Sequence, residues 1–349
     1  MKDFRISIFV TILCVVAAGY WGSNSGMGVQ SAIFLVLVLG IMEVSLSFDN
    51  AVVNASILKD MDERWQQIFL TVGILIAVVG MRLFFPIVIV AVATGLDMVE
   101  VGTMALTKPD EYSNHLKDSH VAIAAFGGIF LLLIFFSFLF DEGKELHWVK
   151  LGKIEEKLAG LGKLDSIGVM LSLIVLFVIQ QWLPISPDHR ISFVVAGIGG
   201  VILFIAVSSL DSLFEVEEGD GTLVVAATRN GLAGFLYLEV LDASFSFDGV
   251  IGAFAITRDV VIIMLGLAIG AMFVRSLTVS LVRKGTLDEY VFLEHGAHYA
   301  IGALAFIMLA GTIEGVHVPE VVTGLIGVGF IALAMASSVL HNRKIAASV

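Results

Sequence analysis

Ten apolar runs divide the 349-residue chain, near 6–22, 30–57, 68–94, 121–140, 166–183, 191–209, 232–255, 260–281, 298–313 and 321–340. A helix needs about 17–25 such residues to cross a bilayer. The spacing therefore predicts an all-α, polytopic membrane protein of about nine or ten transmembrane helices, the shortest runs (6–22 and 298–313) being the ones that narrow the count. The chain is 58% hydrophobic and only 15% charged, with mean hydropathy +0.98. Soluble domains carry about 25% charged residues, so this composition belongs to the lipid-embedded class. We expect one transmembrane domain over 1–349, with the lipid bilayer as its surroundings and no separate soluble domain.

Net charge is −12, which argues against nucleic acid as a partner, since that calls for a basic surface. The single cysteine, Cys14, leaves no disulfide framework, no CxxC pair and no cysteine-rich zinc site. Lys2 and Arg5 precede the first apolar run, but no small-x-small cleavage site follows, so it reads as an uncleaved helix. Lys59, Arg64, Lys144, Lys150, Lys153, Lys157, Lys163, Arg283, Lys284, Arg343 and Lys344 all fall on one side if the N-terminus is inside, whereas 23–29 and 314–320 hold no Lys or Arg. The positive-inside rule then puts both termini in the cytoplasm of a cell (inner) membrane protein. Two connections fit less well: 95–120 carries Lys108 and Lys117 outside, and 210–231 is acidic inside. The connection 141–165 has one apolar side and reads as a helix on the cytoplasmic surface, weakened by its glycines.

Two of the runs repeat each other. Residues 43–50 read EVSLSFDN and 242–249 read DASFSFDG, which aligns Glu43 with Asp242, Ser45 with Ser244, Ser47 with Ser246 and Asp49 with Asp248. The likeness continues in GILIAVVGMR (73–82) and GLAIGAMFVR (266–275), where Arg82 matches Arg275. Each copy is thus an acid helix followed by an arginine helix, the first within about 30–94 and the second within about 232–281. The acid helices are the second and seventh in order. An odd separation makes the copies run in opposite senses, and inverted repeats commonly frame a midplane transport site.

An ionised side chain near the bilayer centre costs about 2.5–3.5 kcal/mol on insertion scales, so these acids need a reason. On an ideal helix Glu43, Ser47, Asn50 and Asn54 form one polar stripe, while Asp49 lies about 120° from Glu43. One straight helix cannot aim both acids at one ion: either the helix unwinds near the serines or the acids serve two positions. Carboxylates, amides and hydroxyls are hard donors suited to Mn²⁺, Mg²⁺ or Ca²⁺. The candidate ligands are Glu43, Asp49, Asn50, Asp242 and Asp248. Ser47, Ser246, Glu239, Arg82 and Arg275 are supporting residues. If all five acids ionise, the two arginines leave roughly −3, which a divalent ion and one proton would nearly cancel. Glu239 has no counterpart in the first copy, where Gly40 stands. Structural ion pairing is the bland alternative for these charges. Glu294, His295 and His298 form a weaker candidate, with Glu294 and His298 sharing a face at i, i+4. Pro86 is expected to kink its helix just after Arg82.

The strings EVSLSFDNAVVNA (43–55) and DASFSFDGVIGAFAIT (242–257) resemble the paired motifs of TerC-type integral membrane proteins, of the lysine-exporter-like transporter superfamily. Glu43, Leu46, Ser47, Asp49 and Asn50 match an E-x-x-L-S-x-D-N element. Asp242, Phe245, Asp248, Phe254, Ala255, Ile256 and Thr257 match the second element. The chain departs from the pattern at Gly249, where the family has serine, and at Gly252, in the region where it has proline. The resemblance implies a divergent branch beside the TerC proteins and export of Mn²⁺.

The expected function is transport of a divalent cation, Mn²⁺ foremost, as substrate, by alternating access and with possible proton coupling. No prosthetic cofactor and no enzymatic activity are expected: neither Asp49 nor Asp248 has the surroundings of an intramembrane aspartyl protease. Export of an organic cation such as a basic amino acid, or a scaffold role without transport, are the competing readings.

Overall fold

The computed structural model describes residues 4–59, 61–141, 148, 152–163, 166–213, 231–285, 289–316 and 318–348; at a few helical positions, Asp49 and Asp248 among them, it describes only the backbone. The inner acidic stretch 214–230 and much of the connection 141–165 lie outside the described residues. Among the described residues the regular elements are helices, with no strand.

In chain order they are α1 (Arg5–Asn24), α2 (Val29–Leu46), α3 (Phe48–Leu58), α4 (Glu63–Leu75), a π-helical segment (Ile76–Phe84), α5 (Phe85–Thr94), α6 (Met98–Thr107), α7 (Pro109–Asp118) and α8 (His120–Leu139). There follow α9 (Gly152–Ala159), α10 (Ile167–Trp182), α11 (Arg190–Leu213), α12 (Leu232–Ile256), α13 (Val260–Arg283), α14 (Leu293–Ala310) and α15 (Glu320–Ser348). All ten apolar runs of the sequence are helical. Seven of the described helices are long and apolar enough to cross a membrane, or eight if the bent α4–α5 stretch counts as one span. The protein is thus an integral, all-α, polytopic membrane protein. α12 is 25 residues long, yet Glu239, Asp242 and Asp248 make it too acidic to read as an ordinary span. α10 is apolar but only 16 residues long.

The chain divides into two compact units, residues 1–120 with 235–284, and residues 121–234 with 285–349. Both copies of the repeat lie in the first unit. At its centre α13 packs against α1, α2, α3 and the π-helical segment. Asp259 starts α13 by accepting from the backbone N–H groups of Val261 (3.0 Å) and Ile262 (3.1 Å), satisfying two donors that a helix start leaves open. The same carboxylate accepts from Trp21 Nε1 at 2.8 Å, fixing the end of α1 to this corner. Leu58, Met61, Phe69, Phe235 and Leu238 form an apolar cluster at the other end.

Two local features depart from regular α-helix. The run 30–57 is interrupted at one residue, Ser47 (φ −102°, ψ 18°), between α2 and α3. The second departure concerns the expected Pro86 kink. The axis turns by 42° between Glu63–Gly73 and Ile76–Val92, before Arg82 rather than after it. Pro86 follows the π-helical segment directly, inside a continuous helical stretch, where it removes one rung of the hydrogen-bond ladder. The register change is absorbed upstream, in the nine π-helical residues.

In the second unit α8 is largely buried, and α14 packs on α15. Glu155 of α9 is 1% exposed. It accepts from Trp148 N–H at 2.8 Å and from the Tyr299 hydroxyl at 2.7 Å, while Trp148 Nε1 donates to Ser337 Oγ at 3.0 Å. A helix is present at 152–159 within the connection where one was expected, and its acid Glu155 anchors it to α14 through Tyr299.

Candidate functional site

The acids and arginines of the repeat meet inside the first unit. Glu43, on the last turn of α2, is ion-paired with Arg82 of the π-helical segment, with both side chains almost fully buried. Its Oε1 also takes a weak contact from Ser47 Oγ at 3.4 Å. In the second copy Arg275 lies 3.2 Å from Glu239 Oε1 and 3.7 Å from Asp242 Oδ2. The aligned pairs Glu43–Arg82 and Asp242–Arg275 therefore recur in space, which is the relation the repeat predicts. Burying such charges is tolerable only when they are paired and bonded.

The two arginines are held differently. Arg275 donates to the carbonyl oxygens of Phe69 (3.2 Å) and Gly73 (3.0 Å) as well as to Glu239. Its guanidinium carbon sits 3.7 Å from the centre of the Phe69 ring, a favourable cation–π position. Arg82 donates to Glu43 and, at 2.5 Å, to the carbonyl of Ala77 in its own helix. Its Nε is buried without a hydrogen-bond partner among the described residues.

Glycines make these approaches possible. A Cβ on Gly249 would stand 2.5 Å from Glu43 Oε2, and one on Gly270 would collide with the Glu43 Cβ and Cγ. The Glu43 side chain thus passes between bare backbone on α12 and on α13. Gly73 plays the same part for the other couple, since a Cβ there would lie 2.5 Å from Glu239 Oε1 and 3.0 Å from Arg275 Nη1.

Between the couples is a small polar cavity of about 10 Å³, at the lower limit for one water-sized particle. Ser47, Asn50, Asn54, Ala77 and Arg82 line it from the first copy; Asp242, Ser246, Ala271, Val274 and Arg275 line it from the second. Ser47, Asn50 and Asn54 belong to the polar stripe read from the sequence, and the break at Ser47 does not disperse them. Asn54 Oδ1 and Ser246 Oγ are buried without a partner among the described residues, as is Glu239 Oε2 nearby. An unsatisfied buried polar group costs about 1–3 kcal/mol, so the two on the cavity wall favour a polar or charged occupant.

The side chains of Asp49 and Asp248 lie outside the described residues; their backbones stand in the first turn of α3 and within α12. Among the described residues no three His, Cys, Asp or Glu side chains gather closely enough to hold a metal. Of the candidate ligands, Glu43 is thus placed in an ion pair, and Asn50 and Asp242 on the cavity. Ser47, Ser246, Arg82 and Arg275 line the cavity too, while Glu239 supports Arg275 from beside it. The sequence did not single out Phe69 or Gly270, and it marked Gly73 only as the glycine that opens the GILIAVVGMR match.

The weaker candidate resolves otherwise. His298 Nδ1 bonds to the Glu294 backbone carbonyl at 2.9 Å, not to its carboxylate, and its ring stacks on Phe138. His295 is the histidine that faces an acid, with Nε2 3.7 Å from Glu155 Oε2.

A helical, many-spanning membrane protein with charge pairs and a polar cavity inside its helices is what the fold and site together define. The chain belongs to the family described as "Protein of unknown function (DUF475)", whose model matches residues 48–345. No curated protein and no solved structure matches it.

Proposed function

We propose that this protein is a TerC-like transporter that exports a divalent metal cation, foremost Mn²⁺, with Ca²⁺ or Mg²⁺ as chemically similar substrates. The supporting observation is the convergence of two repeat-related acid–arginine couples on one buried polar cavity, lined about equally by the two copies. Hard oxygen donors from Asn50, Asn54, Asp242, Ser47 and Ser246 surround that space, and Asp49 and Asp248 complete the donor set in this reading. Alternating access exposes the site to each side in turn, with the copies inverted, the protein in the inner membrane and both termini in the cytoplasm. Excess negative charge at the site motivates proton coupling.

The chemistry of the lining weighs against an organic cation: among the described residues it presents no aromatic side chain to the cavity.

The test is Mn²⁺ flux in vesicles reconstituted with the full chain. Asp49→Asn or Asp248→Asn is expected to lower flux to the background of empty vesicles while the protein remains inserted and folded. Wild-type flux in either variant removes the assignment, and flux indifferent to an imposed pH gradient removes the proton.

A further inference from the structure

The cation reading gives Glu43 a role that the structure already fills with a side chain. Glu43 is 1% exposed, and its Oε1 is engaged by Arg82 and approached by Ser47. Its Oε2 faces bare backbone at Gly249. A guanidinium and a divalent ion on one buried carboxylate repel each other strongly at low dielectric, so one weakens the other. We propose that Arg82 is a built-in competitor of the transported ion: a tethered cation that neutralises Glu43 between cargo ions and withdraws when one binds. The π-helical segment Ile76–Phe84 is the element that moves it. This inference rests on the cation-transport reading.

Three observations carry it. The first is the light hold on Arg82 among the described residues: one acid, one carbonyl of its own helix, and an Nε buried without a partner there. Arg275 is fixed by two carbonyls from α4, two acids and an aromatic face. Of the two matched arginines, Arg82 is held by fewer described groups, and its one acidic partner is the carboxylate that an ion would take over.

The second is where Arg82 stands. π-helical backbone is rare and concentrates at functional sites, and here it spans nine residues with Arg82 near its end. Each bond that reverts from the i→i+5 register to i→i+4 rotates the residues beyond it about the axis. A change of register, with no unfolding, therefore swings Arg82 relative to Glu43. The axis already bends by 42° at the start of this segment.

The third is the cavity. Arg82 lines it, and it is barely large enough for one water. Withdrawal of the guanidinium frees both the space and the carboxylate for an ion. Ligand binding then selects one of two arrangements by its differential affinity for them.

The experiment measures Mn²⁺ affinity of the purified full chain in lipid nanodiscs beside Mn²⁺ flux in vesicles. Arg82→Gln is expected to tighten Mn²⁺ binding at least tenfold and to slow flux, because nothing displaces the ion. Arg82→Lys restores the charge and is expected to return affinity to within about threefold of wild type. Folded Arg82→Gln with unchanged or weaker Mn²⁺ binding overturns the competitor role while leaving the cation reading intact. Wild-type protein that neither binds nor moves Mn²⁺ overturns the cation reading, and this inference with it.

Gly80→Ala keeps the test decisive if Arg82→Gln does not fold. A Cβ at Gly80 meets only Ile76, at 3.5 Å, in ordinary contact. The substitution touches no site residue and biases the segment toward regular α-helix, since alanine is the better helix former. Tighter Mn²⁺ binding with severalfold slower flux is the expected result, because the α register is the one that withdraws Arg82; unchanged Mn²⁺ binding overturns the moving π-segment.

Discussion

The two copies of the repeat share their charges and differ in their scaffolding. In the second copy the acid helix, α12, runs unbroken from Leu232 to Ile256, and Arg275 comes from a regular α-helix and is held on several sides. In the first copy the acid helix breaks at Ser47, and Arg82 comes from π-helical backbone with two hydrogen-bond partners among the described residues. One half holds its charge on several sides, and the other carries its charge on π-helical backbone. A duplicated motif thus specifies which groups meet, while the packing around each copy decides which of them stays put.

Substitutions can break or sharpen that contrast. Arg275→Met removes the centre of the rigid half and leaves Glu239 and Asp242 buried without their cation; breaking a buried pair in this way costs about 3–5 kcal/mol. Denaturant unfolding in detergent is expected to show a larger loss for Arg275→Met than for Arg82→Met, and equal losses would erase the distinction. Phe69→Leu keeps the apolar volume near Leu58 and Leu238 but removes the ring over Arg275. It is expected to lower stability by about 0.5–2 kcal/mol with no change in Mn²⁺ affinity, read by the same unfolding curves and by titration. The smallest effect separates the two matched serines. Ser47→Ala loses a weak contact to Glu43 and should cost up to about 1 kcal/mol, whereas Ser246→Ala deletes a buried hydroxyl that has no partner among the described residues and should be neutral or slightly stabilising. A cost for Ser246→Ala equal to that of Ser47→Ala would mean that the halves are tuned alike.

Much of this was legible in the sequence because lipid simplifies the reading. All ten apolar runs are helices, and the paired acids and arginines stood out because ionisable residues are rare in such runs. What escaped was decided by tertiary contact. Ser47 and Ser246 are aligned, yet only Ser47 interrupts a helix, so the local chemistry of the motif could not tell the copies apart. GILIAVVGMR reads like any apolar helix, and nothing in it announces a π register. Glu239 is the nearer acid of Arg275, although Gly40 occupies its place in the first copy. A Cβ at Gly40 would already lie 3.0 Å from Ile269 Cγ2, so that site has no room for an acid. Glu294 and His298 shared a face as expected, but the acid that meets a histidine is Glu155, about 140 residues earlier in the chain. Helical periodicity carries no information about such a partner.

The three acids of α12 also bear on biogenesis. A segment carrying Glu239, Asp242 and Asp248 is a poor candidate for release from the translocon into lipid by itself. Its neutralising cation, Arg275, is synthesised only afterwards, on the following helix, while Phe69 and Gly73, which hold that cation, are made long before. Stable entry of α12 therefore has to wait for α13 and to be completed against helices already in the bilayer, so the same charges that serve the site also set the order in which the protein can be assembled.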